Sequence, residues 1–269
     1  MNNPKPAKLT AIGSGKGGTG KTFVAVTLAH ALAHAGERVL LCDADFGLSN
    51  TIVHLGLESG GDMAAILSGM RGLTDCVAHM GGGTKTRGGF DVLAAPSGSG
   101  VLAGVGEAAI ERLIAALKDT RAYDRIIVDL GAGVEAATLH LAAAADETIV
   151  VMTPDPAALT DAYAFTKLLQ RAAPHMTPQV LVNMTIGESE GRRTAEALAT
   201  TARAFLKMAP AFLGHVPRDA RAVECLRRQS QLLSQYPQCP SARAVEKIAH
   251  ALHSAFGVCA VQREILPAH

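Results

Sequence analysis

Gly15-Lys16-Gly17-Gly18-Thr19-Gly20-Lys21-Thr22 decides the fold. The stretch satisfies G-x-x-x-x-G-K-[ST], in which backbone N–H groups cradle phosphates, the last lysine reaches the terminal ones and the hydroxyl ligates Mg²⁺. Lys21 and Thr22 fill those two positions. Lys16 is a second cation in the same loop, one more than the pattern needs, and it suggests a nucleotide shared between two subunits. The alternative is a glycine-rich turn with no ligand. Against that stands the context: Leu9-Thr10-Ala11-Ile12 suits a buried strand and Thr22–Ala35 an alanine-rich helix ending at Gly36. The loop would then sit at a helix N-terminus, where unpaired N–H groups and the helix dipole favour a phosphate.

Moving outward, apolar β-type runs alternate with amphipathic helical segments. Further strands are expected at Val39–Cys42, Phe90–Ala94, Arg125–Asp129, Thr148–Met152, Gln179–Asn183 and Phe212–Val216. Helices are expected at Gly61–Met70, Gly106–Asp119, Glu135–Ala144, Ala157–Ala172, Glu190–Lys207, Ala220–Gln229 and Ala242–Phe256. Strands apolar on both faces and alternating with helices imply an α/β fold. Its mostly parallel β-sheet is flanked by helices on both sides, and its ligand binds at the carboxyl ends of the strands. Gly81-Gly82-Gly83-Thr84-Lys85-Thr86-Arg87-Gly88-Gly89 reads as a mobile surface loop.

At 269 residues the chain is long enough for one large core, and no interdomain linker or repeat interrupts it. One P-loop ATPase domain over 9–256 is expected, between a polar segment 1–8 and a tail 257–269. The formal net charge of +1 gives no signal for nucleic-acid binding. Cys42, Cys76, Cys225, Cys239 and Cys259 include no C-x-x-C pair, which favours reduced thiols and argues against a metal-cluster carrier or reductase. The first residues lack an apolar targeting stretch and no run is long enough to span a bilayer, so a cytoplasmic protein is expected.

Two acidic motifs fall at strand ends: Asp43-Ala44-Asp45-Phe46-Gly47 and Asp129-Leu130-Gly131-Ala132-Gly133. An apolar strand ending in Asp129 has the form of a Walker B carboxylate, rigidly aimed at Mg²⁺ or its waters. Asp45 is placed to orient the attacking water, with Asp43 nearer the metal. Each aspartate alone could be a turn or cap residue. At the strand end where a guanine-binding protein carries N-K-x-D, this chain reads Asn183-Met184-Thr185-Ile186, which argues against GTP. Asn183 could hydrogen-bond adenine, with the Pro217-Arg218-Asp219 backbone closing the base pocket.

Ser14–Thr22 resembles the deviant Walker A motif of the MinD/ParA ATPases, marked by its early lysine. Asp43–Asn50, Asp129–Gly133, Thr153-Pro154-Asp155-Pro156 with Leu159–Tyr163, Leu181–Met184 and Gly214–Asp219 are together similar to the FlhG (FleN or YlxH) flagellar-number regulators. The resemblance runs from about Leu9 to about Leu252. It implies a MinD-like (SIMIBI) P-loop NTPase that binds ATP or ADP with Mg²⁺, dimerises with the nucleotides sandwiched, and hydrolyses slowly back to monomers. By position, Lys16 would reach the partner's phosphates and Asp45 would position water. Gly15, Gly17, Gly18, Thr19 and Gly20 would shape the cradle, and Thr22, Asp43 and Asp129 would serve the metal.

Implied partners are a second copy, an FlhF-like GTPase, and a flagellar C-ring component or transcription regulator. Peripheral association with the inner face of the cell membrane is implied for the ATP state. Only eight residues precede the first strand, without D-Q-A-x-x-L-R, so stimulation of FlhF by that route is not expected. Val245, Ile248, Leu252 and Phe256 form a helical stripe that is either a membrane face or a core face; Arg243, Lys247 and Arg263 are the nearby cations. MinD-like division-site and ParA-like cargo-positioning ATPases are the alternative roles.

Overall fold

The computed structural model describes residues 5–47, 50–95 and 105–264, with side chains described up to Ser254. Leu48 and Ser49 of the Asp43–Asn50 motif lie outside these residues, as do the side chains of Phe256, Cys259 and Arg263. The first strand, β1 (Lys8–Ser14), is followed by α1 (Lys21–His34), β2 (Val39–Ala44), α2 (Thr51–Leu55), α3 (Met63–Ser68), β3 (Ala78–Met80) and β4 (Phe90–Leu93). Then come α4 (Glu107–Asp119), β5 (Arg125–Ala132), α5 (Ala136–Ala144), β6 (Glu147–Met152), α6 (Pro156–Ala172), β7 (Gln179–Thr185) and α7 (Glu188–Leu206). The chain continues with β8 (Ala211–Pro217), α8 (Ala220–Arg227), α9 (Leu232–Gln235) and α10 (Pro240–Glu264).

The strands make one eight-stranded sheet in the order β3-β4-β2-β5-β1-β6-β7-β8. Every neighbour is parallel except β3, which pairs antiparallel with β4. Successive strand residues feed opposite faces, as the two-residue period requires. Leu40, Cys42, Ile126, Val128 and Val150 pack under α3–α7, whereas Val39, Leu41, Ile127, Ile149 and Val151 pack under α1, α2 and α8–α10. On α4 the stripe Ile110, Leu113, Ile114 and Leu117 is the buried face.

Several expected bounds shift for local reasons. The helix expected at Gly61–Met70 is shorter: Asp62 caps its start by accepting from Ala65 N at 3.0 Å, and Gly69 ends it at φ 77°. Gly81–Gly89 joins β3 to β4 as a largely exposed surface loop that contains a 3₁₀ turn at Gly83–Lys85 with Gly83 buried. The last helix runs past 256 to Glu264, so the expected tail begins within a helix. Val245, Ile248 and Leu252 are buried against the α1 face of the sheet, which makes their stripe a core face and removes them from any lipid contact. Among the described residues no helix is long and apolar enough to cross a membrane.

Candidate nucleotide site

The order β2-β5-β1 brings three strand ends together. Asp43 on β2 stands in register with Asp129 on β5, and Asp129 with Ile12 on β1, so the chain leaves β1 into the phosphate loop directly beside both carboxylates. The loop can pass there only without side chains at certain points. At Gly15 a Cβ would lie 2.0 Å from the Asp161 carbonyl oxygen of α6, and Gly20 takes φ 80° just before α1 begins at Lys21.

Lys21, almost fully buried, donates from Nζ to Asp129 Oδ1 at 2.9 Å. Burial pushes the Asp129 carboxyl up to about 6 against the pull of the Lys21 ammonium, and the neighbouring Asp43 pushes the same way. Asp129 Oδ2 and Thr19 Oγ1 are buried without a hydrogen-bond partner. A Cβ at Gly17 or Gly18 would meet nothing within 4 Å. Unsatisfied polar atoms beneath an open cradle fit a magnesium-bound phosphate, for which they would supply ligands and donors.

The remaining expected residues divide. Asp45 is partly exposed and close to Gly131 near the end of β5; a Cβ on Gly131 would lie 3.7 Å from its Oδ1, which accepts from Gly47 N at 3.2 Å. Asp43, expected nearer the metal, accepts backbone N–H on both oxygens, from Asp45 at 3.0 Å and from Thr51 at 3.1 Å. It therefore shapes the loop that carries Asp45. Lys16 Nζ is engaged by Asp155 Oδ2 of its own chain, and this ion pair holds the Asp155 carboxyl below the usual carboxylate range.

Of the residues expected to border a base, Asn183 and the 217–219 backbone are neighbours, Asn183 lying in register with Val216 and Arg218 N donating to Thr185 O at 2.8 Å. The Asn183 amide, however, donates to Thr19 O at 2.8 Å. The Asp219 carboxylate caps two helices, accepting from Arg221 N at 2.9 Å and from Ser241 N and Oγ at 3.1 and 2.9 Å. Asp155 had a readable signal: an Asp-Pro pair at a helix start, where Asp155 caps α6 and Pro156 is its first residue. Its hold on Lys16 had none.

Residues 10–232 match the model of the CobQ/CobB/MinD/ParA nucleotide binding domain. The chain is 32% identical over 255 residues to the antiactivator FleN of Pseudomonas aeruginosa, covering 94% of this chain and 89% of that protein. It is 30% identical to the flagellum site-determining protein YlxH of Helicobacter pylori, covering 94% of this chain and 84% of that one. Its fold superposes on the septum site-determining protein MinD of Pyrococcus horikoshii, complexed with Mg-ADP, at a TM-score of 0.76 and 24% identity, over 94% of this chain and 98% of that chain. The chain belongs to the CobQ/CobB/MinD/ParA nucleotide-binding family, in the company of FleN and YlxH, and is an ATPase.

Proposed function

We propose that this ATPase is a dimerising switch that sets the number or placement of flagella. The observation that carries the switch is the second lysine. Lys21 already occupies the inner position against Asp129, while Lys16 sits at the loop's outer side, held only in part from solvent by an exposed carboxylate. An ammonium there gains phosphate oxygens when a second loaded subunit arrives, which makes ATP binding and dimerisation mutually supporting. Similarity to FleN and YlxH along almost the whole chain supports the flagellar output.

In this reading the backbone of Gly15–Thr22 cradles the phosphates, Lys21 holds the β- and γ-phosphates and Thr22 is a metal ligand. Asp129 supports the metal, Asp43 sets the loop, and Asp45 orients the attacking water. The Pro217–Asp219 backbone and Asn183 border the adenine. Bound Mg²⁺ neutralises charge on the phosphoryl oxygens. Loss of the γ-phosphate removes what Lys16 reaches for, and the dimer falls apart. An FlhF-like GTPase, the C-ring or a transcription regulator reads the dimer, and any membrane contact is made without Val245, Ile248 and Leu252, which are core residues.

Light scattering with MgATP on an Asp45→Ala background, where hydrolysis is lost and binding kept, tests the switch. Lys16→Ala should leave a monomer that still binds ATP; an unchanged dimer overturns the mechanism. Disrupting the gene should alter flagellar number or position. Misplaced septa with normal flagella would select the second reading, a MinD-like division role, which the shared fold supports.

A further inference from the structure

Asn183 is 3% exposed at the end of β7, and its two polar atoms are both committed. Nδ2 donates to the carbonyl oxygen of Thr19 at 2.8 Å, and Oδ1 accepts from Met184 N at 2.9 Å. A donor facing a carbonyl and an acceptor facing an N–H fix which way round the amide sits. Thr19 O belongs to the peptide that leads into Gly20, the left-handed residue on which α1 begins. A Cβ at Gly20 would lie 2.3 Å from Nδ2 and 3.4 Å from Met184 Cε, so loop and strand end are in direct contact. Met184 itself takes φ 58°, a conformation that residues with a side chain disfavour. The irregularity in β7 between Asn183 and Thr185 thus sits where the amide meets the loop.

We propose that Asn183 is a positioning residue for the phosphate loop: the strand end that borders the base also braces the cradle that receives the phosphates. This rests on the nucleotide-site reading above and goes beyond it, since adenine recognition alone would leave the loop independent of Asn183. By holding Thr19 O from the sheet side, the amide keeps the N–H groups of the loop pre-organised on the ligand side. One N–H of the amide remains for a base. Its loss loosens the cradle for every phosphate-bearing ligand, whatever base is attached.

Calorimetric titration with Mg²⁺ and two probes tests this: ADP, and purine riboside 5′-diphosphate, which lacks the 6-amino group. In Asn183→Ala both dissociation constants should rise about tenfold, as expected for one hydrogen bond lost at a buried carbonyl, with their ratio kept. A ratio that collapses because only ADP weakens makes Asn183 a base reader and overturns the proposal. Wild-type protein that binds neither probe overturns the nucleotide-site reading instead. A nucleotide-free measurement covers a poorly folding variant. Gly20→Ala, whose Cβ meets the amide, should lower the thermal midpoint more in the wild type than in Asn183→Ala or the milder Asn183→Ser; equal losses in all backgrounds also overturn it.

Discussion

Arg125 and Asp129 lie on the same buried strand, four residues apart, and are treated in opposite ways. At the amino end, Arg125 donates to Glu37 Oε2 and Glu147 Oε1 at 2.8 Å, to Thr10 Oγ1 at 3.1 Å and to Leu252 O at 3.3 Å. The two glutamates are further held by His253 Nδ1 at 2.8 Å and Lys8 Nζ at 2.7 Å. This cluster is closed. Toward the carboxyl end, Asp129 has Lys21 on one oxygen and no hydrogen-bond partner on the other, with the Thr22 hydroxyl also acting on the carboxylate. A buried charge stabilises only when its partners are complete. The strand therefore holds the fold together at one end and leaves a buried oxygen without a hydrogen-bond partner toward the other, which in the proposed function serves the ligand.

Breaking the closed end should have the largest effect on stability. Arg125→Ala strands two carboxylates beneath α10 and should cost about 3–5 kcal/mol in urea unfolding. The ADP affinity of the molecules that remain folded should be unchanged. A loss of ADP affinity with unaltered unfolding would reverse the assignment of the two ends.

At the open end the balance should invert. Lys21→Ala should weaken ADP binding about 100-fold, roughly 2.7 kcal/mol. Its effect on unfolding should be smaller than that of Arg125→Ala, because Asp129, already raised by burial, can take up a proton once its ammonium is gone. Calorimetry and urea titration on the same samples decide it, and a stability loss equal to that of Arg125→Ala would contradict the contrast.

The open end was more legible from sequence than the closed one. A phosphate loop and its nearby carboxylates are short local patterns, each attached to an apolar strand, so the closeness of the Gly15–Thr22 loop to Asp43 and Asp129 could be expected, whereas the use of Asp43 to hold two backbone N–H groups could not. The Arg125 cluster joins residues 22, 88, 115 and 127 positions away, and no local spacing announces it. Strand β3 was missed for a related reason: Ala78-His79-Met80 has no β-branched residue and is a strand only because it pairs with β4. Asn183 shows the limit within the site itself. Its position near the end of an apolar strand was readable, but the use of its amide depends on a backbone carbonyl 164 residues away.

The contrast also has a pH signature in the nucleotide-free protein. The Asp129 carboxyl is raised by burial from an ordinary 3.8 to about 6, so the folded state holds its proton more tightly than the unfolded state does. The stability this proton supplies is fully present below about pH 4 and is lost as pH rises through about 6, by an amount on the order of 3 kcal/mol. His30, which burial and His34 lower to about 4, acts oppositely in the same window, losing stability as pH falls. Subtracting the profile of Asp129→Asn cancels His30 and leaves the Asp129 component. The difference, wild type minus variant, should fall between pH 4 and pH 6; a flat difference would mean that Asp129 is not raised.

The smallest effect concerns the outer lysine, whose partner is exposed where that of Arg125 is buried. In the proposed switch Asp155 must give up Lys16 before the ammonium can reach a second subunit, yet a solvent-exposed ion pair is weak and screened by salt. Asp155 also caps α6 through Ala157 N at 3.1 Å, so Asn is the informative substitution: it keeps a capping oxygen and removes the charge. Asp155→Asn should favour the ATP-bound dimer by about two- to fivefold at low salt, with the advantage shrinking as salt is added. Sedimentation equilibrium on the Asp45→Ala background measures it. A weaker dimer would place Asp155 among the contacts that hold the two subunits together, making the ion pair part of the assembled state and not a restraint on reaching it.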